Sequence, residues 1–236
     1  MKYSPESTKK EQELFNSLLD LKNKKVLEIG CGAGDYTLKI APLVKELVAI
    51  DISEDVIEEA KKRNIPENVF FKVCDASKLD FKDKTFDCIF SAFTLHEADP
   101  KKQYSILKEC HRVLKENGKF CILEITLEDP EILTTDPVTG TNHEKLVNIA
   151  LDNVKKSVQE RLFSKKMEKT YWAAYLWEDL EEAIKDIIDY LNSVMKKDAD
   201  EKKIRKRLFE VLGKLADNKP IKAPVKFRII VLKKGL

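Results

Sequence analysis

The stretch VLEIGCGAGDYT, residues 26–37, places three of the chain's seven glycines within five positions: Gly30, Gly32 and Gly34. It continues a short apolar run and precedes a segment of helical character. Glycine adopts positive φ without a steric penalty and lets a ligand approach the backbone closely. A glycine-rich turn between a strand and a helix is typical of sheets that bind a nucleotide-like ligand at the carboxyl ends of their strands. The sequence therefore predicts a ligand-binding loop at this point.

Strand and helix signals alternate around this loop through the first half of the chain. Helical spacing of apolar residues separates several short apolar runs. The runs that predict strands are residues 25–29, 46–52, 68–75, 86–93 and 119–125. This order is typical of the α/β class, and we expect a doubly wound, mostly parallel sheet with helices on both faces.

The alternation stops after the fifth predicted strand. Residues 127–220 are mainly helical in pattern, and residues 224–234 predict a final strand. We therefore expect a cofactor-binding sheet domain made of residues 1–126 and 221–236. The segment between them would be a helical insertion before the last strand that determines the substrate. The run TYWAAYLW at 170–177 fits either a strand or a helix, so the sheet has six or seven strands.

Composition limits the cellular setting. The 236 residues carry a net charge of +2, and no run approaches the roughly 18 apolar residues of a membrane helix. The N-terminal segment has no apolar signal core, so we expect a cytoplasmic protein without a membrane span. The cysteines are odd in number and never at C-x-x-C spacing, which favours free thiols over a disulfide framework or a metal site.

The residues around the glycines indicate the kind of ligand. A dinucleotide-binding loop needs its third glycine at position 35, where this chain has Asp35, and an acid at a helix start repels pyrophosphate. Glu28, at the end of an apolar strand, suits a cationic ligand. Asp51 lies 21 residues after Gly30, where a carboxylate can accept hydrogen bonds from both ribose hydroxyls. Ile52 follows and can lie against a purine face.

Taken together, these segments resemble S-adenosylmethionine-dependent methyltransferases with the Rossmann-like fold. The resemblance is carried by the glycine motif VLEIGCGAGDYT, the second-strand motif VAIDISEDVIEEAKK and the turn and fourth strand in VFFKVCDASKLDFKDKTFDCIFSAFTLHEADP. The helix and fifth strand in ILKECHRVLKENGKFCILEI extend it. It covers roughly residues 10–125 and the closing strand.

The resemblance implies S-adenosyl-L-methionine as the cofactor and assigns contacts to it. The implied contacts to its methionine part are Glu28, Gly30, Gly32 and the backbone carbonyl of Ser91. The implied contacts to its nucleoside are Asp51, Ile52, Asp75 and the Ala76 backbone. Purely structural roles stay open: Asp75 can cap its own turn, Ser91 can simply end a strand, and Glu28 and Asp51 can be charged strand ends.

One histidine stands where the chemistry would occur. Methyl transfer is an in-line displacement, and a protonated nucleophile needs a base. His96, in FTLHEADP beyond the fourth predicted strand, is the candidate base because histidine titrates near neutrality. It can instead orient the loop by hydrogen bonds. The aromatic residues between 171 and 177 either line a substrate pocket or serve in packing.

Four functions are consistent with these patterns. The first is methyl transfer to a small molecule or lipid-like metabolite. The second is RNA methylation, because residues 141–236 carry a charge of +7 and include the basic run EKKIRKRLFE; that run also fits a solvated helix face. An NAD-dependent oxidoreductase and a non-catalytic cofactor-binding protein complete the set. The methyl acceptor and the oligomeric state cannot be read from the sequence.

Overall fold

The structure, a computed structural model, describes residues 4–193 and 200–235. Its described part contains eight α-helices. These are α1 (Pro5–Leu19), α2 (Asp35–Ile40), α3 (Glu54–Lys61), α4 (Pro100–Val113), α5 (Pro130–Thr139), α6 (His143–Gln159), α7 (Leu180–Ser193) and α8 (Glu201–Leu212). None of these helices combines the length and the hydropathy that crossing a bilayer requires.

Seven strands form one mixed sheet. They are β1 (Lys25–Ile29), β2 (Glu46–Asp51), β3 (Val69–Val73), β4 (Phe86–Ala92), β5 (Leu114–Ile125), β6 (Phe163–Trp177) and β7 (Ile221–Lys234). Their order across the sheet is β3-β2-β1-β4-β5-β7-β6. The predicted α/β class and mostly parallel, doubly wound sheet are confirmed.

Strand order reverses at β1, which lies between β2 and β4. Both neighbours run parallel to β1, with Glu28 in register with Ala49 on one side and Phe90 on the other. The carboxyl ends of these strands therefore meet at one edge of the sheet. In doubly wound sheets, the crevice outside this reversal is where ligands bind.

The chain folds as two compact units. The first, called the sheet unit, comprises residues 10–124, 146–169 and 228–236. The second unit comprises residues 1–9, 125–145 and 170–227. This division differs from the predicted domains of 1–126 with 221–236 and 127–220, because most of α6 and the first half of β6 belong to the sheet unit.

The main core of the sheet unit explains that difference. Ala150 and Val154 of α6 are buried in the same apolar cluster as Phe120 of β5 and Ile230 of β7. Phe163, at the start of β6, joins them. A helix that covers a sheet face in this way cannot be separated from the sheet without exposing that core, so α6 and the start of β6 pack as part of the sheet unit.

The second half of the chain otherwise follows the sequence pattern. The segment 127–220, predicted to be mainly helical, contains α5, α6, α7 and α8, and the predicted final strand is β7. The ambiguous run at 170–177 is the second half of β6, so the sheet has seven strands.

Candidate active site

The loop after β1 has the backbone conformation that its glycines predict. Gly30 and Gly32 have φ of 65° and 53°. A Cβ at position 30 would lie 2.1 Å from Cγ2 of Thr94, whose hydroxyl contacts the Gly30 carbonyl oxygen at 3.2 Å. At position 32 an added Cβ would meet no atom of the described residues within 4 Å. The loop thus packs tightly on one side and leaves room for a ligand on the other.

Asp51 fixes this loop to the end of β2. One carboxylate oxygen accepts a hydrogen bond from the Gly32 N–H at 3.0 Å, and the other accepts one from the Ser53 N–H at 3.0 Å. The next side chain, Ile52, is 66% exposed. Each carboxylate oxygen can accept a further hydrogen bond, so Asp51 retains acceptor capacity for a diol beside an open apolar surface.

Glu28 lies in β1, two residues before Gly30 of the loop, and is almost fully buried. Burial raises the pKa of its carboxyl to about 8, the Thr37 hydrogen bond opposes this, and repulsion from Asp35 and Asp51 adds to it. The Thr37 hydroxyl donates to Oε2 at 2.6 Å. Glu28 therefore carries a proton at neutral pH in the unliganded protein, and a cation bound nearby would favour loss of that proton.

The turn after β3 holds Asp75 by its own neighbours. Oδ1 of Asp75 accepts from both the N–H and the hydroxyl of Ser77, at 2.8 and 2.6 Å. Oδ2 pairs with Lys102 Nζ at 2.8 Å. The Lys102 and Ser77 contacts lower the pKa of Asp75 to about 2. The turn-capping role left open by the sequence is thus present, and a contact from Asp75 or Ala76 to an adenine edge stays a prediction.

Ser91 lies at the end of β4, in register with Ile29 of β1 and Ile122 of β5. It is fully buried, and its hydroxyl oxygen has no hydrogen-bond partner among the residues the structure describes. Its position in the strand next to β1 fits the backbone contact expected of it, and that contact also stays a prediction.

His96 is held between two carboxylates. Nδ1 bonds to Glu124 Oε2, and Nε2 lies 3.2 Å from Glu97 Oε1. Burial opposes protonation of the ring, but the Glu124 and Glu97 carboxylates outweigh burial and raise the pKa of His96 to about 10. In this arrangement His96 is an imidazolium at neutral pH, which disfavours the base role that the sequence suggests.

Glu124 is a site residue that the sequence analysis missed. It is 1% exposed near the end of β5, and its Oε1 has no hydrogen-bond partner in the described part of the chain. A buried carboxylate is costly unless it is paired, and His96 supplies the pair. The sequence did contain a signal for this residue, because Glu124 is the single acid inside the apolar run FCILEI. The end of that run lies at the same edge of the sheet as Asp51.

The aromatic residues of β6 have structural contacts inside the second unit. The Tyr175 hydroxyl donates to Asp129 and the Trp177 indole N–H to Asp186, each at 3.0 Å. Both rings are buried, whereas Trp172 is 62% exposed. Packing therefore accounts for Tyr175 and Trp177 but not for Trp172.

The fold and the glycine loop are similar to those of known methyltransferases. Residues 26–118 match the family model described as a methyltransferase domain. The similarity covers the segment that holds the glycine loop and strands β2 to β4.

One curated relative is the ubiquinone/menaquinone biosynthesis C-methyltransferase UbiE of Rickettsia prowazekii. It is 36% identical over 114 residues, which are 44% of this chain and 45% of the relative. The chain thus matches less than half the length of that relative.

Solved structures share the fold at lower identity. The PH0226 protein of Pyrococcus horikoshii OT3 has a TM-score of 0.55 and 21% identity, covering 98% of this chain and 92% of that one. The N-methyltransferase NodS of Bradyrhizobium japonicum, solved with S-adenosyl-L-homocysteine, has a TM-score of 0.56 and 14% identity, covering 99% and 89%.

Proposed function

We propose that the protein transfers a methyl group from S-adenosyl-L-methionine to a nucleophile on a small molecule or lipid-like metabolite. The methyltransferase domain and the relative named for C-methylation in ubiquinone and menaquinone biosynthesis support this proposal. The NodS structure supports the cofactor, because it holds S-adenosyl-L-homocysteine on a related fold.

The observation that carries the proposal is the contact of Asp51 with Gly32. It places a carboxylate with spare acceptor capacity beside bare backbone that faces open space. Asp51 would bind the ribose diol, and the exposed Ile52 would pack on adenine, with Asp75 and Ala76 at the adenine edge. Gly30 and Gly32 would follow the methionine part.

Two further residues suit the cationic end of the cofactor. S-adenosylmethionine, when bound, supplies a methyl group on a positively charged sulfur. The acceptor attacks the methyl carbon in line with the bond to that sulfur and displaces the sulfur. Glu28 would ionise beside that cation, and the backbone carbonyl of Ser91 would accept from the ammonium. The chain's own task is then to position the acceptor and to exclude water.

His96 remains the candidate catalytic residue, with a changed role. A ring that is protonated at neutral pH donates hydrogen bonds and stabilises negative charge, but accepts no proton. We therefore expect Nε2 of His96 to exchange its contact with Glu97 for one with an acceptor that attacks as an anion, with Glu124 fixing the orientation of the ring. A base role would require His96 first to lose the proton that Glu124 and Glu97 retain.

The basic run on α8 gives the RNA alternative little support. Arg205 pairs with Glu181 and Glu201, Lys203 pairs with Asp200, and Arg207 donates to a backbone carbonyl. These contacts fit the solvated helix face that the sequence left open. The family match likewise favours methyl transfer over an NAD-dependent oxidoreductase.

The proposed location is the cytoplasm. All five cysteines are unpaired, as is usual in a reducing compartment. The helices of the second unit are proposed to contribute to substrate choice.

The test is calorimetric binding of S-adenosylmethionine, S-adenosylhomocysteine and NAD to the wild-type chain, to Asp51→Asn and to Asp152→Asn. Asp152 is an exposed acid on α6 and serves as the matched control. Loss of the charged hydrogen bonds to a diol should weaken cofactor binding about 10- to 100-fold in Asp51→Asn only. Preference for NAD, or equal binding by all three proteins, would refute the proposal.

The acceptor class is found by transfer of a labelled methyl group to fractionated cell extract. Small molecules, lipids, RNA and protein are counted separately. Label in the small-molecule or lipid fraction is expected, and label confined to RNA would favour the second hypothesis.

A further inference from the structure

A cavity of about 450 Å³ lies in the sheet unit, toward the β6 edge of the sheet and away from the glycine loop. Strand β6 is the edge strand there, and β7 lies next to it. One face of α6 forms the other side. This face contributes Leu151, Val154, Lys155 and Val158 to the lining.

The inner surface of this cavity is apolar. Val154 and Ile230 belong to the main core and form its floor. Leu151 and Val158 lie about two turns apart on the same helix face and are partly buried against that core. A sheet face needs a covering layer, and α6 leaves this strip of it open toward β6.

The charged groups around the cavity are unbalanced. Lys155, Lys165 and Arg228 are cationic, and Glu168 is the single acid among the lining residues. Glu168 is shared by two of these cations, at 2.9 Å from Lys165 Nζ and 2.5 Å from Arg228 Nη1. Lys155 is in turn paired with Asp152 at 2.9 Å, so the excess around the cavity is one positive charge.

Arg228 has a hydrogen-bond donor without an acceptor among the described residues. One of its guanidinium nitrogens is satisfied by Glu168, whereas its Nε is buried and has no acceptor among the described residues. Buried donors in folded proteins are almost always paired. An anion in the cavity would balance the excess charge by pairing with the exposed part of this guanidinium, and a small movement of the side chain would also bring the buried Nε within its reach.

We propose that this cavity binds an amphipathic monoanion, namely a free long-chain carboxylate. Its carboxylate pairs with Arg228, flanked by Lys155 and Lys165, and its hydrocarbon chain lies along Leu151 and Val158 over the apolar floor. The volume is in the range of small-molecule sites, which fits one acyl chain better than a protein partner. The site is independent of the glycine loop, so the inference does not rest on the proposed function.

The test uses the full chain and the fluorescent fatty acid cis-parinaric acid, which is then displaced by dodecanoate or by dodecanol. Saturable binding of one probe per chain is expected, with dodecanoate competing at least tenfold better than dodecanol. Amide and methyl NMR shifts on adding dodecanoate should centre on Val154, Val158 and Ile230.

Three variants test whether binding depends on the charge of Arg228 and on the open volume of the cavity. Arg228→Gln should weaken dodecanoate at least tenfold and leave dodecanol unchanged. Leu151→Trp should fill the cavity and weaken both compounds. Arg161→Gln removes an exposed arginine that does not line the cavity and should change nothing.

Circular dichroism melts establish that each variant is folded before it is compared. Equal competition by the alcohol and the carboxylate, unchanged binding in Arg228→Gln, or NMR shifts located elsewhere would each overturn the proposal. So would failure of the probe to saturate.

Discussion

Glu28 gives the sharpest test of the site's electrostatics, because it is a buried acid surrounded by other acids. The perturbation is Glu28→Gln. Glutamine has nearly the shape of the protonated acid and can still accept the hydrogen bond from Thr37. The substitution therefore removes the ionisation of this side chain while keeping most of its packing.

The magnitude follows from the pKa of Glu28, which burial raises from an ordinary 4.5 to about 8 in the folded protein. Between these pH values the folded state holds a proton that the unfolded state has lost, so stability falls as pH rises. At about 1.4 kcal/mol for each pH unit, the wild-type chain loses about 3 to 4 kcal/mol between pH 5 and pH 8 through this group. The Glu28→Gln variant has no such loss.

The assay is urea unfolding of both proteins at pH 5, 6, 7 and 8, with Glu58→Gln as a control because Glu58 is an exposed acid on α3. The free energy of unfolding of Glu28→Gln minus that of the wild type should grow by about 3 to 4 kcal/mol across this range. Glu58→Gln should show no such trend. A difference that stays flat, or that shrinks with rising pH, would mean that Glu28 is ionised in the folded protein.

Two further predictions concern the loops around this acid. In Glu124→Gln the pKa of His96 should fall from about 10 toward its ordinary 6.5, because burial then opposes protonation with only Glu97 to counter it. NMR titration of the ring measures this pKa. A value still near 10 would contradict the pairing of His96 with Glu124. Gly30→Ala should lower the stability by more than Gly140→Ala: both have φ near 70°, but only position 30 meets Thr94. Strain alone costs about 1–2 kcal/mol, so equal losses in thermal melts would show that the contact with Thr94 is unimportant.

The sheet could be predicted where its strands are buried on both faces. The run that contains β4 is apolar except at Asp87 and Ser91, and the structure buries most of it. Strand β6 was only half visible, because its first part, SKKMEKT, is polar and lies at the sheet edge. Apolar periodicity does not identify a strand whose side chains are mostly exposed to solvent. The first part of β6 is such a strand, because it lies at the edge of the sheet and has a neighbouring strand on one side only.

The candidate site likewise contains contacts within short motifs, which the sequence predicts, and contacts between residues far apart in the chain, which it does not. The roles of Gly30, Gly32 and Asp51 rest on spacing within short motifs, and the structure joins Gly32 to Asp51 directly. The pairing of His96 with Glu124 spans 28 residues and two separate strand ends. Sequence patterns place such residues at one edge of a sheet but do not determine which side chains meet, so the charge state of His96 could not be foreseen.

The position of β7 between β5 and β6 has a consequence for biosynthesis. The ribosome releases β6 before β7, so the growing chain presents two strands whose shared neighbour does not yet exist. Until β7 emerges, the free edge of β5 is open to β6 itself or to another nascent chain. Correct assembly therefore requires β5 and β6 to stay unpaired with each other until β7 has been synthesised.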